Sequence, residues 1–400
     1  MTVRVNKPSF NIREKLSELG RKFGLKGSEL AAAETVQEAR DVVSAGRKNM
    51  IINGGMNVFQ RNNGGLITSS YSSTKYQVDR FGGQIQQGSI FTAERADNDA
   101  PPGFRYSLKY TTTNAVTPNT SHYFWVGQRI EGYNFQQCGW DTSTPKHITI
   151  SFWVKSSVTG TWALAIKTGT SAGTAYLATY DITAANTWEY KTITVPPPFT
   201  LTDLQYTTSA AIGFQFDLGT SRSADLYASA RNKWVNENLY TDANCVKIHG
   251  VAGATWQLTG FQVEVGKNAT EFEHRPYGEE LALCQRYYQK IYFTTSDYPF
   301  GYCYTYQQSA SAGAIPLAAP MRTSSPDINF STLRIRGYNQ DGTNGSQNIT
   351  NITGQTQEGH ALLQADLSHS NVPSAAVGSA SVLTNGVSNS SSYLEIEAEL

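Results

Sequence analysis

The sequence predicts a mainly β protein: a jelly-roll-like β-sandwich with a short α-helical N-terminal anchor, a short connector helix and a small C-terminal β-domain. Three observations carry that expectation. Apolar and polar residues alternate with period two over most of the chain after Met50, the signature of half-buried strands. The 400 residues include 34 Gly, 22 Tyr and 17 Phe with only 16% charged residues. Aromatic side chains suit pleated surfaces, and glycine supplies the positive-φ positions of tight turns. Clusters of Gly, Pro, Asn, Asp and Ser separate the alternating runs without a fixed repeat, which favours a sandwich over a solenoid. The expected divisions are 1–49, 50–275, 276–293 and 294–400.

Residues 1–49 differ from the rest, holding 16 of the 64 charged residues, ten of them basic. Ile12, Leu16, Leu19 and Phe23 recur at helical spacing, with Gly20 as a weak point. A second helix is signalled by Ser28 in a capping position, the apolar stripe Leu30, Ala33, Val36, Ala39 and Val43, and Gly46 as a stop. Helices this short depend on tertiary contacts. Their narrow stripes therefore need another copy, another protein or the following domain to cover them.

The sandwich signal is clearest in "HITISFWVKSS", where Ile148, Ile150, Phe152 and Val154 alternate against Thr149, Ser151 and Trp153. "TWALAIKTG", "AYLATYDI", "TWEYKTITV", "AAIGFQFDLG" and "ATWQLTGFQVEVG" repeat the pattern. After it, Pro276 and Gly278 mark a turn, and Glu279 and Glu280 suit the positive end of a helix. Leu281, Cys284, Tyr288 and Ile291 then form one narrow helical stripe, widened by Leu283 and Tyr287. A stripe of this kind predicts a seam where copies meet, or else a plain interdomain helix. From Thr294 onward strand signals return in "YPFGYCYTYQQ", "DINFSTLRIRGYNQ" and "HALLQADLS". The closing "YLEIEAEL" alternates Leu394, Ile396 and Ala398 against three glutamates, which predicts a strand with one acidic, solvent-facing side.

Zero net charge argues against nucleic acid as a partner, since a phosphate-binding face is basic. No run reaches the roughly 18–20 apolar residues of a membrane span, and the first residues lack a signal-peptide core. Assembly in a cytoplasm is expected, and with it four free, buried thiols at Cys138, Cys245, Cys284 and Cys303. Six scattered histidines have no metal-ligand spacing, and no nucleotide loop or nucleophile elbow occurs, so no cofactor or metal is called for. Asp79, Asp97, Asp99, Asp141, Asp217, Asp225 and Glu131 are available to a two-carboxylate glycosidase, but nothing in their spacing selects a pair. Aromatic side chains crowd the sandwich region. Tyr123, Trp125, Tyr133 and Trp140 are the candidate glycan contacts, against the general tendency of such rings to fill the core.

Several stretches also resemble a known family. "VNKPSFNIREKLSELGRKFGLKGSEL", "QEARDVVSAGRKNMIINGGMNVFQR", "RIEGYNFQQCGW", "ITISFWVKSSVTGTW" and "FEHRPYGEELALCQRYYQK" are similar to tail-fibre and related virion structural proteins of short-tailed bacteriophages, marine cyanophage- and pelagiphage-like ones in particular. The resemblance covers Met1 to about Phe293. It implies a homotrimeric, non-enzymatic tail protein, assembled in the host cytoplasm. The N-terminal helices, through Ile12, Leu16, Leu19, Phe23, Leu30, Val36 and Val43, would dock on tail adaptor or nozzle proteins. Distal β-domains would meet a host-surface glycan or protein, without nucleic acid and without membrane insertion. The chain is short for a long fibre and has no extended coiled coil. A stubby fibre, a polysaccharide-depolymerising tailspike and a purely architectural tail or head-decoration piece are the readings it leaves.

Overall fold

The alternating segments pair into two antiparallel sheets packed face to face. The computed structural model describes residues 48–61, 71–85, 90–117, 119, 124–168, 174–198, 206–220, 231–293, 299–338, 344–357, 359–370, 380–385 and 392–400. The predicted attachment residues Ile12, Leu16, Leu19, Phe23, Leu30, Val36 and Val43 lie outside the described residues.

Strands are numbered in chain order. The larger sheet runs β1 (Tyr71–Val78), β2 (Phe81–Ile85), β5 (Phe124–Glu131), β10 (Ala210–Asp217), β7 (Gly160–Thr168), β8 (Ala175–Ile182) and β11 (Trp234–Val235). The smaller runs β3 (Phe91–Asp97), β4 (Tyr106–Thr112), β12 (Thr255–Val265), β6 (Ile148–Ser156) and β9 (Glu189–Val195). The one-in, one-out phase of β6 sends Ile150, Phe152 and Val154 into the gap, where they are fully buried. Phe152 meets Phe216 at 5.0 Å and Phe216 meets Phe261 at 5.2 Å, both edge to face. The sandwich is the predicted one, and the predicted free, buried state of all four cysteines holds as well. A short helix, α1 (Gly132–Phe135), follows β5.

The connector differs from expectation. Helix α2 spans only Tyr277–Gln285, and Tyr288–Phe293 is a strand, β13. Leu281, Cys284, Tyr288 and Ile291 therefore do not share a helical stripe. The aromatic run Tyr287-Tyr288…Tyr292-Phe293 favours extended backbone, and a register from Tyr288↔Glu397 to Phe293↔Ser392 satisfies its ladder. The seam residues are spent inside the chain. Cys284 is buried in a cluster with Ile52, Val58 and Tyr287, against which Leu281 packs. Tyr288 is buried, and Ile291 packs against the C-terminal core.

Beyond β13 a six-stranded barrel closes in the order β14 (Pro299–Gln307), β15 (Ala310–Pro316), β19 (Leu362–His369), β18 (Asn344–Thr356), β17 (Leu333–Tyr338) and β20 (Ala380–Asn385). Beside it, β13, β21 (Ser392–Glu397) and β16 (Asp327–Ser331) form a small sheet. The glutamates of the closing strand do not face solvent as predicted. Glu399 pairs with Arg80, a fully buried side chain of the β1–β2 turn, and with Arg61 at 2.9 Å. The Arg80 guanidinium also lies 3.5 Å over the Tyr287 ring. Arg322 donates to the Ala398 and Glu399 carbonyls at 2.6 and 2.8 Å and to Thr208 of the sandwich at 2.7 Å. The end of β21 is thus an ionic seam between barrel and sandwich, reinforced by Arg286 on Glu131.

Candidate functional site

The outer face of the smaller sheet carries the residues that the β6 alternation turns away from the core. Trp153 on β6 lies opposite Tyr190 on β9 in the pairing register, with ring centroids 5.3 Å apart. Ser151 and Thr192 form the next such pair, and Lys155 follows Trp153 on the same side. The two rings belong to a cleft of about 670 Å³ whose lining also includes Phe104, Gly260, Thr270, Glu271, Phe272 and His274.

Three local devices build that cleft. The first is a bulge in β12, where the register slips between Thr259 and Gln262. Gly260 sits there with φ +61°, in the left-handed region that bulges assign to glycine. A Cβ at this position would stand 2.7 Å from Phe104 Cζ and 3.1 Å from Trp153 Cδ1. Glycine therefore brings the Phe104 ring down beside the Trp153 ring. The second device is the β3–β4 loop. Phe104 N donates to the Pro101 carbonyl at 3.1 Å with Gly103 at φ +91°, the signature of a type II turn. Arg105 clamps Asp97 at 2.9 and 3.2 Å just beyond it.

The third device holds down residues 270–274. Past the bulge, buried Gln262 and Glu264 turn outward and bind this segment. Glu264 accepts from Thr270 N and Oγ1 at 2.8 and 2.7 Å, and Gln262 accepts from Glu273 N at 2.9 Å. Glu273 in turn accepts from the backbone N–H groups of Lys48 and Asn49. Phe272 and His274 are thereby fixed against Phe104, with centroids 4.9 and 5.3 Å from it and 4.9 Å from each other. The cleft has a Trp153–Tyr190 floor and a wall of three rings.

Two acidic groups beside the cleft are paired. Asp99 binds Lys155 and accepts from Gln257 at 2.8 Å. Partial burial pushes the Asp99 carboxyl upward, but those two bonds outweigh it and hold the group below the usual carboxylate range. At the base of Tyr190, Glu189 accepts from the Thr183 and Ala184 backbones, both at 2.8 Å, and from Lys191 at 2.6 Å. Burial opposes ionisation there, yet these donors bring its pKa down to about 2. The β8–β9 turn that presents Tyr190 is therefore locked by charge. Such a site suits a ligand with apolar faces for the rings and a hydroxyl edge for the exposed Glu271.

Of the glycan contacts expected from sequence that lie among the described residues, Trp125, Tyr133 and Trp140, only Tyr133 is a surface ring, at 49% exposure. Tyr123 lies outside the described residues. Trp125 is buried beneath Tyr240. Trp140 is in the core against Phe135 and Trp234, its indole N–H donating to the Lys146 carbonyl at 2.7 Å. Expectation failed there because richness in aromatic residues does not say which side of a strand each occupies. Phase does: the alternation that buries Phe152 puts Trp153 outside, and "TWEYKTITV" puts Tyr190, Thr192 and Thr194 on one side. Phe104, Phe272 and His274 lie in loops and carried no such signal.

The available carboxylates have structural partners instead of one another. Asp79 accepts from Gln60 at 2.6 Å, Asp141 from Tyr206 at 2.9 Å, and Asp217 from Thr220 N at 2.8 Å. Glu131 takes Arg286 and Tyr287, both at 2.7 Å. Asp225 lies outside the described residues.

The sequence matches no protein-family model and no curated protein. Its structure overlaps several solved ones weakly. The CBM4 carbohydrate-binding module is 14% identical, over 53% of this chain and 97% of that one, with a TM-score of 0.26. The module TmCBM61, solved with β-1,4-galactotriose, is 11% identical over 55% of this chain and 99% of that one, at 0.26. The family 11 module from Clostridium thermocellum, solved with a β-1,3-1,4-mixed-linked tetrasaccharide, is 14% identical over 50% and 96%, at 0.25.

Proposed function

We propose that the chain is an adhesive, non-enzymatic virion protein, a trimeric short tail fibre whose sandwich binds host-surface glycan in the cleft above β6 and β9. The observation that carries the glycan reading is the outward-facing Trp153–Tyr190 floor beside the Phe104–Phe272–His274 wall. Rings held by backbone turns lose little freedom on binding, so stacking on sugar C–H faces comes at low entropic cost. Each site is small, and three copies on a trimer gain avidity from multivalency without any new contact. Residues 1–49 attach this assembly to the tail, and the tail-fibre resemblance supports that half of the reading.

The test is a printed array of bacterial surface polysaccharides probed with the wild type and with Trp153→Ala/Tyr190→Ala. Binding by the wild type and its loss in the variant are expected. Equal binding by both removes the cleft from the function. Release of reducing ends from a bound polysaccharide would replace adhesion by hydrolysis. Light scattering on the purified chain should give three times the 43.8 kDa of one copy, and a monomer would remove the trimer.

A further inference from the structure

A second aromatic surface lies on the barrel, on a strand that contributes no residue to the cleft. β14 alternates inward Cys303 and Thr305 with outward Tyr302, Tyr304 and Tyr306, which are 75%, 51% and 42% exposed. Elsewhere among the described residues only the rings of Tyr133, Tyr190 and Tyr277 are as exposed, so three in a row on one strand face is a departure. Among the described residues, nothing on the neighbouring strands covers them. Tyr302 is flanked by Ala314 on β15 and Val382 on β20, and Tyr304 by Ala312 and Ala380.

The surface continues beyond the alanines. Gln364 lies beside Ala314 and Asp366 beside Ala312, both outward on β19. Next to these, β18 places Gln355 and Thr353. Strand spacing makes this a shallow trough roughly 10 Å wide, with an alanine floor, a tyrosine wall and a wall of amide, carboxylate and hydroxyl groups. Along the strand the rings repeat every ~7 Å over about 14 Å.

We infer that this trough is a second binding site, for a linear oligosaccharide chain of a neutral glycan. A run of pyranoses has the required shape: apolar ring faces for the tyrosines, hydroxyl edges for Gln364 and Asp366, and a length spanning three rings. The area argues against a second protein copy. At roughly 200 Å² per ring, the three tyrosines offer on the order of 350 Å², and alanines add little. A stable protein interface needs about 800 Å² per partner. The site is separate from the cleft and stands whether or not the cleft binds sugar.

The test compares the wild type, Tyr302→Ala/Tyr304→Ala/Tyr306→Ala and Trp153→Ala/Tyr190→Ala on an array of bacterial surface polysaccharides and linear glucans, xylans and galactans. The tyrosine variant should lose on the order of tenfold in binding to at least one linear chain. Its melting temperature and its mass in solution should stay unchanged, and the cleft variant should keep that binding. Binding untouched by the three substitutions, or no binding by the wild type, overturns the site. A fall in solution mass for the tyrosine variant also overturns it, since the face would then belong to another copy.

Discussion

Sandwich and barrel are both antiparallel, yet they place their aromatic residues oppositely. The sandwich core is built on Trp162, Trp256, Phe152, Phe214, Phe216 and Phe261. The buried barrel core, among the described residues, is Leu, Ile, Ala, Met and Cys, with Phe300 and Phe330 only packed partly against it. Gap width explains the contrast. Two facing sheets stand about 10 Å apart and need large rings to fill the space. A closed barrel of eight strands is only just wide enough for its side chains, and one of six is narrower still. Its polar end is closed by Thr305, Ser311 and His369 bonded in line at 2.9 and 3.1 Å. Tyr302, Tyr304 and Tyr306 of β14 therefore go outward, where they are open to contact. In the sandwich, Trp153 and Tyr190 face outward by strand phase, and a bulge and two pinned loops gather further rings beside them.

The largest effect expected is at the seam joining the two units. Glu399→Ala leaves Arg80 buried without its partner, which should cost about 3–5 kcal/mol, read as a fall in the melting transition or its splitting in two. An unchanged single transition would mean that the units are joined by other contacts.

Next comes the contrast of rings itself. Phe216→Ala should cost about 3–5 kcal/mol, whereas Tyr302→Ala should stay within about 0.5 kcal/mol. Urea denaturation measures both, and equal costs would break the comparison.

A smaller effect is expected at the bulge. Gly260→Ala places a Cβ at φ +61° against the Phe104 ring, for roughly 1–2 kcal/mol from the backbone conformation alone. The ring must also shift, so cleft binding should fall more than stability does. Wild-type affinity in this variant would show that Phe104 takes no part.

The smallest is a pH effect. The Glu189 carboxyl titrates at about 2 in the fold against an ordinary 4.5, so its contribution is complete above about pH 4.5 and is lost as pH falls toward 2. Tryptophan fluorescence from Trp188 and Trp153 should change over that window, and Glu189→Gln should abolish the change.

The strands were legible in the sequence because side-chain alternation is local: two residues suffice to reveal which side of β6 or β9 faces in. The helix start at Pro276 was legible too, from the turn and the two glutamates. Its end was not, because Tyr288–Phe293 has a partner far along the chain, Glu397–Ser392, whose ladder outweighs the helical spacing.

Long-range pairing also governs the seam and the site. Glu395, Glu397 and Glu399 look solvent-facing until Lys290 is set opposite the first, and Arg61 and Arg80 opposite the other two. Trp153 is an outward tryptophan by phase alone. It becomes a cleft floor because β9 supplies Tyr190 and Gly260 admits Phe104. Period and composition act between neighbours along the chain and set which residues turn outward. Which outward residues meet depends on strand pairing and loop anchoring across as many as 338 positions, as between Arg61 and Glu399, and folding alone creates those contacts.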